Sequence, residues 1–357
     1  MVGQKSMDQP VYIRGVKIEN RIGLAPLGIT VYSENGLMTD DSVAFYQAVA
    51  RGGTALLIQG CAIVAADARS HSLQLGIWSD EHISGLRRLV DAVHAEGKTV
   101  IAQLQHGGVR SCVEEPLGPS KITIEIDGVQ KASREMTTDE IKSSQQQYLD
   151  AALRAVKAGY DGVELHASHG WLISTFLSPV TNHRTDEYGR DPLRYLREVF
   201  QRIRGAVPEN FIVGVRMSGY VPDLKTGLEQ ARQIDAMGVD YISVSVNYKI
   251  KWLKQDDTVP EGYPFDPMIY AAQEIKKLVH VPVFAAKGIR TGEIANKVLA
   301  CTDVDMVLVG RGHLCDTQWA NKALAGEQPN RCRECRGECR WRLGTRLCAA
   351  LAKKEWN

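Results

Sequence analysis

Eight short apolar runs, each followed by a polar or glycine-bearing break and then an amphipathic stretch, organise this chain of 357 residues. They are Ile22–Leu27, Ala55–Gly60, Thr99–Leu104, Gly162–His166, Phe211–Met217, Tyr241–Val246, Val283–Ala286 and Met306–Val309. Each is too short for a helix, and most are rich in Val and Ile, as strands buried on both faces of a parallel sheet are. The stretches between them carry helix punctuation. Thr137 and Glu140 form a capping-box pair, and Asp191-Pro192 and Asp266-Pro267 each place a cap before a first-turn proline. Gly97, Gly159 and Gly238 stand where helices should end before the next strand.

Eight strands alternating with helices predict an α/β fold with a parallel sheet. No Gly-x-Gly-x-x-Gly follows the first strand, where an open dinucleotide-binding sheet would carry it. The count of eight favours a closed (β/α)8 TIM barrel over residues 1–325, followed by a cysteine-rich tail over 326–357. The formal net charge of +1 argues for no particular partner, and no nucleic-acid partner is expected because no recognised nucleic-acid module stands in the sequence. The tail is locally basic, with eight Lys or Arg against three Glu in residues 331–357. The first residues lack the apolar core of a signal peptide, and no apolar run approaches the ~20 residues that span a bilayer. The expectation is a cytoplasmic chain with no membrane partner.

In a barrel the chemistry gathers at the C-terminal ends of the strands. There the sequence places Gln103, then His166 and His169, then Arg216, then Lys287-Gly288, and finally Gly310-Arg311. Loops after the seventh and eighth strands often cradle phosphate through backbone N–H groups, and Gly288, Gly310 and Arg311 are of the right types. Two imidazoles three residues apart suit polarising a substrate oxygen, or binding a metal. Cys332-x₂-Cys335-x₃-Cys339-x₈-Cys348 suits a [4Fe–4S] cluster or tetrahedral zinc equally well by spacing.

Five segments together resemble the old yellow enzyme family of NADH:flavin oxidoreductases, most closely its branch with 2,4-dienoyl-CoA reductase and trimethylamine dehydrogenase. They are NRIGLAPL (20–27), AQLQHGG (102–108), DGVELHASHGWLISTFLSPVTNHRTDEYG (161–189), VGVRMSG (213–219) and MVLVGRGHLCD (306–316). The resemblance implies FMN at the barrel mouth. Ala25, Pro26 and Leu27 would line its ring, with Gly60 and Gln103 at the pyrimidine edge and Arg216 near N1 and O2. Lys287, Gly288, Gly310 and Arg311 would hold the phosphate. His166 and His169 would grip the carbonyl of an unsaturated small molecule, which receives hydride from the flavin as an ene-reductase substrate.

Two positions depart from the family pattern. Trp171 stands where relatives place a tyrosine proton donor, and an indole is too weak an acid for that task. Tyr32, Tyr220 and Tyr248 are alternative donors by loop position. Gly28 stands where many relatives carry Thr or Cys against the flavin. The tail position implies a [4Fe–4S] cluster on Cys332, Cys335, Cys339 and Cys348, with Cys348 earlier than usual. Relatives continue into an FAD and NAD(P)H region, which this sequence does not contain. Electrons are therefore expected from NAD(P)H, or from a ferredoxin, flavodoxin or reductase subunit drawn to the basic tail. An amine dehydrogenase and a non-catalytic electron-relay subunit are the alternatives, and a homo-oligomer is compatible with each. The loops at 107–136 and 247–266 are expected to shape the substrate pocket.

Overall fold

The computed structural model describes residues 5–28, 34–126, 129–245 and 258–335, together with Cys348. Eight parallel strands close into a barrel: β1 Ile22–Leu24, β2 Leu56–Ile63, β3 Thr99–Gln105, β4 Gly162–Ala167, β5 Ile212–Ser218, β6 Ile242–Ser245, β7 Val283–Ala286 and β8 Met306–Val309. Neighbours in sequence are neighbours in space, and β8 returns to pair with β1. The (β/α)8 expectation therefore holds.

The lower half of the barrel interior is apolar. Leu56, Ile58, Ile101, Ile212, Tyr241, Phe284, Met306 and Leu308 form one cluster there, and Val11, Ile13 and Ile18 join it. The last three belong to an antiparallel hairpin, Val11–Ile13 with Val16–Ile18, which plugs the N-terminal mouth. Above that plug the inward positions of β3 to β6 turn polar at every second residue: Gln103 and Gln105, Glu164 and His166, Arg216, Ser243 and Ser245. Period-two alternation sends them all to one face of their strands. The register sets Glu164 beside Gln103, His166 beside Arg216, and Arg216 beside Ser243.

Helices cover the outside with apolar stripes. Thr138–Ala158 buries Ile141, Ser144, Tyr148, Ala151, Ala155 and Ala158, each three or four residues from the next. Its Thr137 capping box is formed in both directions, and Gly159 closes it in the left-handed conformation at φ 93°. Asp266 caps Pro267–Lys276 as expected.

Beside shifts of one residue at several strand ends, and a first strand that stops at Leu24 rather than Leu27, three features differ from the sequence expectations. β2 runs on to Ile63, because a register shift between Gln59 and Ala62 absorbs Gly60-Cys61 without ending the pairing. The helix expected at Asp191-Pro192 begins at Arg194. Asp191 already terminates the short helix Glu187–Arg190, and its Oδ1 accepts from Leu193 N at 3.2 Å in the intervening turn. The stretch 107–136 is also not plain loop: it folds into two small sheets, Leu117–Gly118 with Arg134–Glu135 and Thr123–Ile126 with Val129–Ala132.

Candidate active site

β4 ends at Ala167, and the chain reverses through Ser168, His169 and Gly170. His169 at φ 62° and Gly170 at φ 73° are consecutive left-handed residues. This turn folds the His169 ring back against that of His166, with centroids 5.0 Å apart and planes at 89°. A hydrogen-bonded chain then crosses the barrel mouth. Gln105 Oε1 lies 3.0 Å from His166 Nδ1, and His166 Nε2 lies 2.8 Å from His169 Nδ1. His169 Nε2 lies 2.9 Å from Ser245 Oγ, which accepts from Arg216 Nη2 at 3.0 Å.

The donors orient the chain. Arg216 can only donate, so the Ser245 hydroxyl proton is free to point at His169 Nε2. His169 then carries its proton on Nδ1, toward His166, and His166 carries its own on Nδ1, toward Gln105. Both rings are neutral. Burial, reinforced by the cations of Arg216 and Arg110, lowers His169 to about 3. Burial and then the neighbouring His169 push His166 well below the usual range.

Arg216 is 5% exposed, and among the described residues its Nε and Nη1 are buried without a hydrogen-bond partner. Buried guanidinium nitrogens left unpaired are costly, so this geometry favours an added acceptor at Arg216. The space for one is present. A cavity of about 640 Å³ runs from Arg216 and Ser245 past Ala25, Pro26 and Leu27 to Lys287, Gly288, Gly310 and Arg311. Gly60 packs tightly on this wall, since a Cβ there would lie 2.7 Å from Pro26 Cβ. Gly28 is exposed, with open space where a side chain would stand.

The far end of the cavity is cationic. Lys287 and Gly288 are both left-handed, at φ 77° and 76°. Lys287 pairs with Asp266 at 3.4 Å. Arg290 and Arg311 meet the carboxylate of Glu334 at 2.6 and 4.0 Å, so an anion already sits against this pair of guanidinium groups. Arg290 and Glu334 were not singled out from the sequence. Neither were Gln105, Glu164 and Ser245, although each stands two residues from a residue on the same strand face. That spacing was the available signal.

Trp171 borders the histidines, with its ring 6.1 Å from that of His166. The Arg110 guanidinium lies 4.5 Å over the indole, and its Nη1 donates to the His169 carbonyl at 3.1 Å. Tyr220 is not available as the alternative proton donor: it is fully buried and its hydroxyl donates to the Pro267 carbonyl at 3.1 Å. Tyr32, Tyr248 and most of the 247–266 loop lie outside the described residues.

The cysteine tail is described in part. Cys332 and Cys348 are half-buried and Cys335 is exposed, while Cys339 lies outside the described residues. Among the described residues no three metal-binding side chains converge, so the four-cysteine set is not assembled there. Cys332 and Cys348 do share a neighbour. Burial, and then the proximity of these two thiols, pushes the Cys315 thiol up to about 12. Cys315 Sγ also donates to the Asn330 carbonyl at 3.2 Å. No described helix is long and apolar enough to cross a membrane.

Comparison with known proteins bears on this geometry. The model of a family described as NADH:flavin oxidoreductase / NADH oxidase matches residues 6–330. An "NADH oxidase" of Thermoanaerobacter brockii is 33% identical over 90% of this chain and 51% of its own length. An "NADPH dehydrogenase" of Bacillus velezensis is 33% identical over 88% of this chain and 93% of its own length. The chain thus spans about half the length of the first relative and most of the second. Among solved structures, a 2-naphthoyl-CoA reductase complex superposes with a TM-score of 0.82 over 92% of this chain and 54% of that one. At 23% identity this last likeness supports the fold alone.

Proposed function

The chain belongs to the NADH:flavin oxidoreductase / NADH oxidase family, and on that premise we propose that it is an FMN-dependent reductase of activated carbon–carbon double bonds. The observation that carries this reading is the orphaned Arg216 facing a cavity that ends in a cationic cradle. The donor set fits FMN. Arg216 and Gln103 would hold the pyrimidine edge, with Gly60 beside them. Ala25, Pro26, Leu27 and Gly28 would face the ring, and Lys287, Gly288, Gly310 and Arg311 would hold the phosphate. When bound, FMN supplies the hydride chemistry.

The chain's own residues bind and polarise the substrate. Both rings are neutral. His169 can turn its Nδ1–H from His166 to a carbonyl oxygen, and His166 can add a second N–H bond once its proton moves from Nδ1 to Nε2. Neither need surrender a proton to stabilise charge that builds on that oxygen. Their mutual 2.8 Å bond must open to admit that oxygen. Trp171 offers a flat wall, fixed by Arg110, and no acid. The α-carbon proton is therefore assigned to water or another group. Reducing equivalents come from NAD(P)H, or from a ferredoxin, flavodoxin or reductase subunit through a [4Fe–4S] cluster on Cys332, Cys335, Cys339 and Cys348. The placement in the dienoyl-CoA reductase branch belongs to the same proposal.

Anaerobic purification tests both halves. The expected protein carries one FMN per chain and a dithionite-bleachable visible shoulder with four irons. It reduces cyclohexenone, a nitroalkene or an unsaturated thioester, and His166→Ala lowers kcat/KM by ~100-fold. A chain without flavin, or a flavoprotein inert toward all three substrates, sinks the reading. Flavin with zinc in place of iron removes the relay alone.

A further inference from the structure

One layer below the histidine pair lies a carboxylate that this chemistry does not use. Glu164 is fully buried on β4, two residues before His166 and on the same face. Its Oε1 accepts from Gln103 Nε2 at 2.7 Å. Its Oε2 accepts from Tyr241 Oη at 3.1 Å and from Ser243 Oγ at 2.7 Å. The Tyr241 ring reaches it only because position 214 is glycine: a Cβ there would lie 2.2 Å from that ring.

An ionised carboxylate can only accept, so Gln103 must turn its amide nitrogen down toward Glu164 and its oxygen toward the mouth. A second neighbour imposes the same polarity. The thiol of Cys61 meets Gln103 Oε1 at 3.0 Å, and burial pushes that thiol up to about 12, which keeps it a donor. Glu164 also faces a cation. It and Arg216, on the neighbouring strand β5, act on one another, and among the described residues Arg216 forms no direct ion pair. Burial raises the Glu164 pKa, while the Arg216 charge and the three donors oppose that rise.

We propose that ionised Glu164 is a positioning residue of the flavin site, which holds Gln103 with its acceptor oxygen toward the ligand and sets how much of the Arg216 charge reaches the flavin. This rests on the FMN reading above. Glu164 acts through Gln103 and Arg216 and touches neither substrate nor cofactor. A negative charge beneath the pyrimidine edge disfavours the added electron density of the reduced flavin. Removing it leaves the Arg216 cation less opposed.

The test is a reduction-potential titration of the FMN holoenzyme at neutral pH, with a fluorescence titration of FMN into the apoprotein. Glu164→Gln keeps the shape and loses the charge. It is expected to hold reduced FMN about tenfold more tightly relative to oxidised FMN, a rise of ~30 mV for a two-electron couple. Glu164→Asp keeps the charge and withdraws from Gln103. Its affinity for oxidised FMN is expected to fall about fivefold at an unchanged potential, as loss of one hydrogen bond implies. Either variant suffices if the other does not fold. A wild-type chain that binds no FMN removes the flavin reading and this proposal together. A wild-type chain that binds FMN, with both variants keeping its potential and affinity, overturns this proposal alone.

Discussion

His166 and His169 are neutral for a reason that reaches beyond chemistry at the site. A buried imidazole that resists protonation makes the folded state bind fewer protons than the unfolded chain. His169 is lowered to about 3, against about 6.5 in an unfolded chain. Its contribution to stability is therefore complete above about 6.5 and is lost as pH falls toward 3. His169→Asn removes that titration. The wild type is expected to lose more urea resistance than His169→Asn between neutral pH and pH ~5. Equal losses would show that His169 protonates in the folded state at its ordinary pKa. The pair was legible in the sequence as two histidines past a strand. Its tautomers were not, because Gln105 and Ser245 come from other strands and meet it only in the barrel.

Helix and strand punctuation was legible where the signal is local. The Thr137 capping box, the Asp266 cap and the Gly159 stop depend on a few neighbouring residues, and all three formed. Gly159 offers a clean test at this scale. A Cβ there meets only Val90 Cγ1 at an ordinary 3.5 Å, but its φ of 93° disfavours a side chain. Gly159→Ala is expected to destabilise the fold by ~1 kcal/mol, read from urea midpoints, with FMN binding unchanged. A neutral substitution would mean the helix end relaxes. The misplaced start at Asp191 and the extension of β2 past Gly60 have a different origin. The first arises because Asp191 is already engaged in closing the short helix Glu187–Arg190 just before it, and the second depends on pairing with a distant strand, β3.

The tail and the barrel meet at the cationic end of the cavity. Glu334 lies against Arg290 and Arg311, so it competes with any phosphate those side chains bind. Exposed ion pairs of this kind are worth ~0.2–1 kcal/mol. Glu334→Gln is accordingly expected to raise FMN affinity about threefold at low salt, an advantage that fades as salt screens the pair. Unchanged affinity at low ionic strength would show that Glu334 swings clear at no cost. By itself the sequence determined the barrel, its eight strands, and the rim on which Gln103, His166, Arg216 and Arg311 stand. Those follow from period-two patterning and from local breaks, which each segment carries alone. Only the tertiary structure decided which side chains meet: His169 and Arg216 with Ser245, Glu164 with Gln103, and the tail's Glu334 with Arg290. These contacts depend on strand register and barrel closure, and they join residues up to tens of positions apart through space that no single segment encloses.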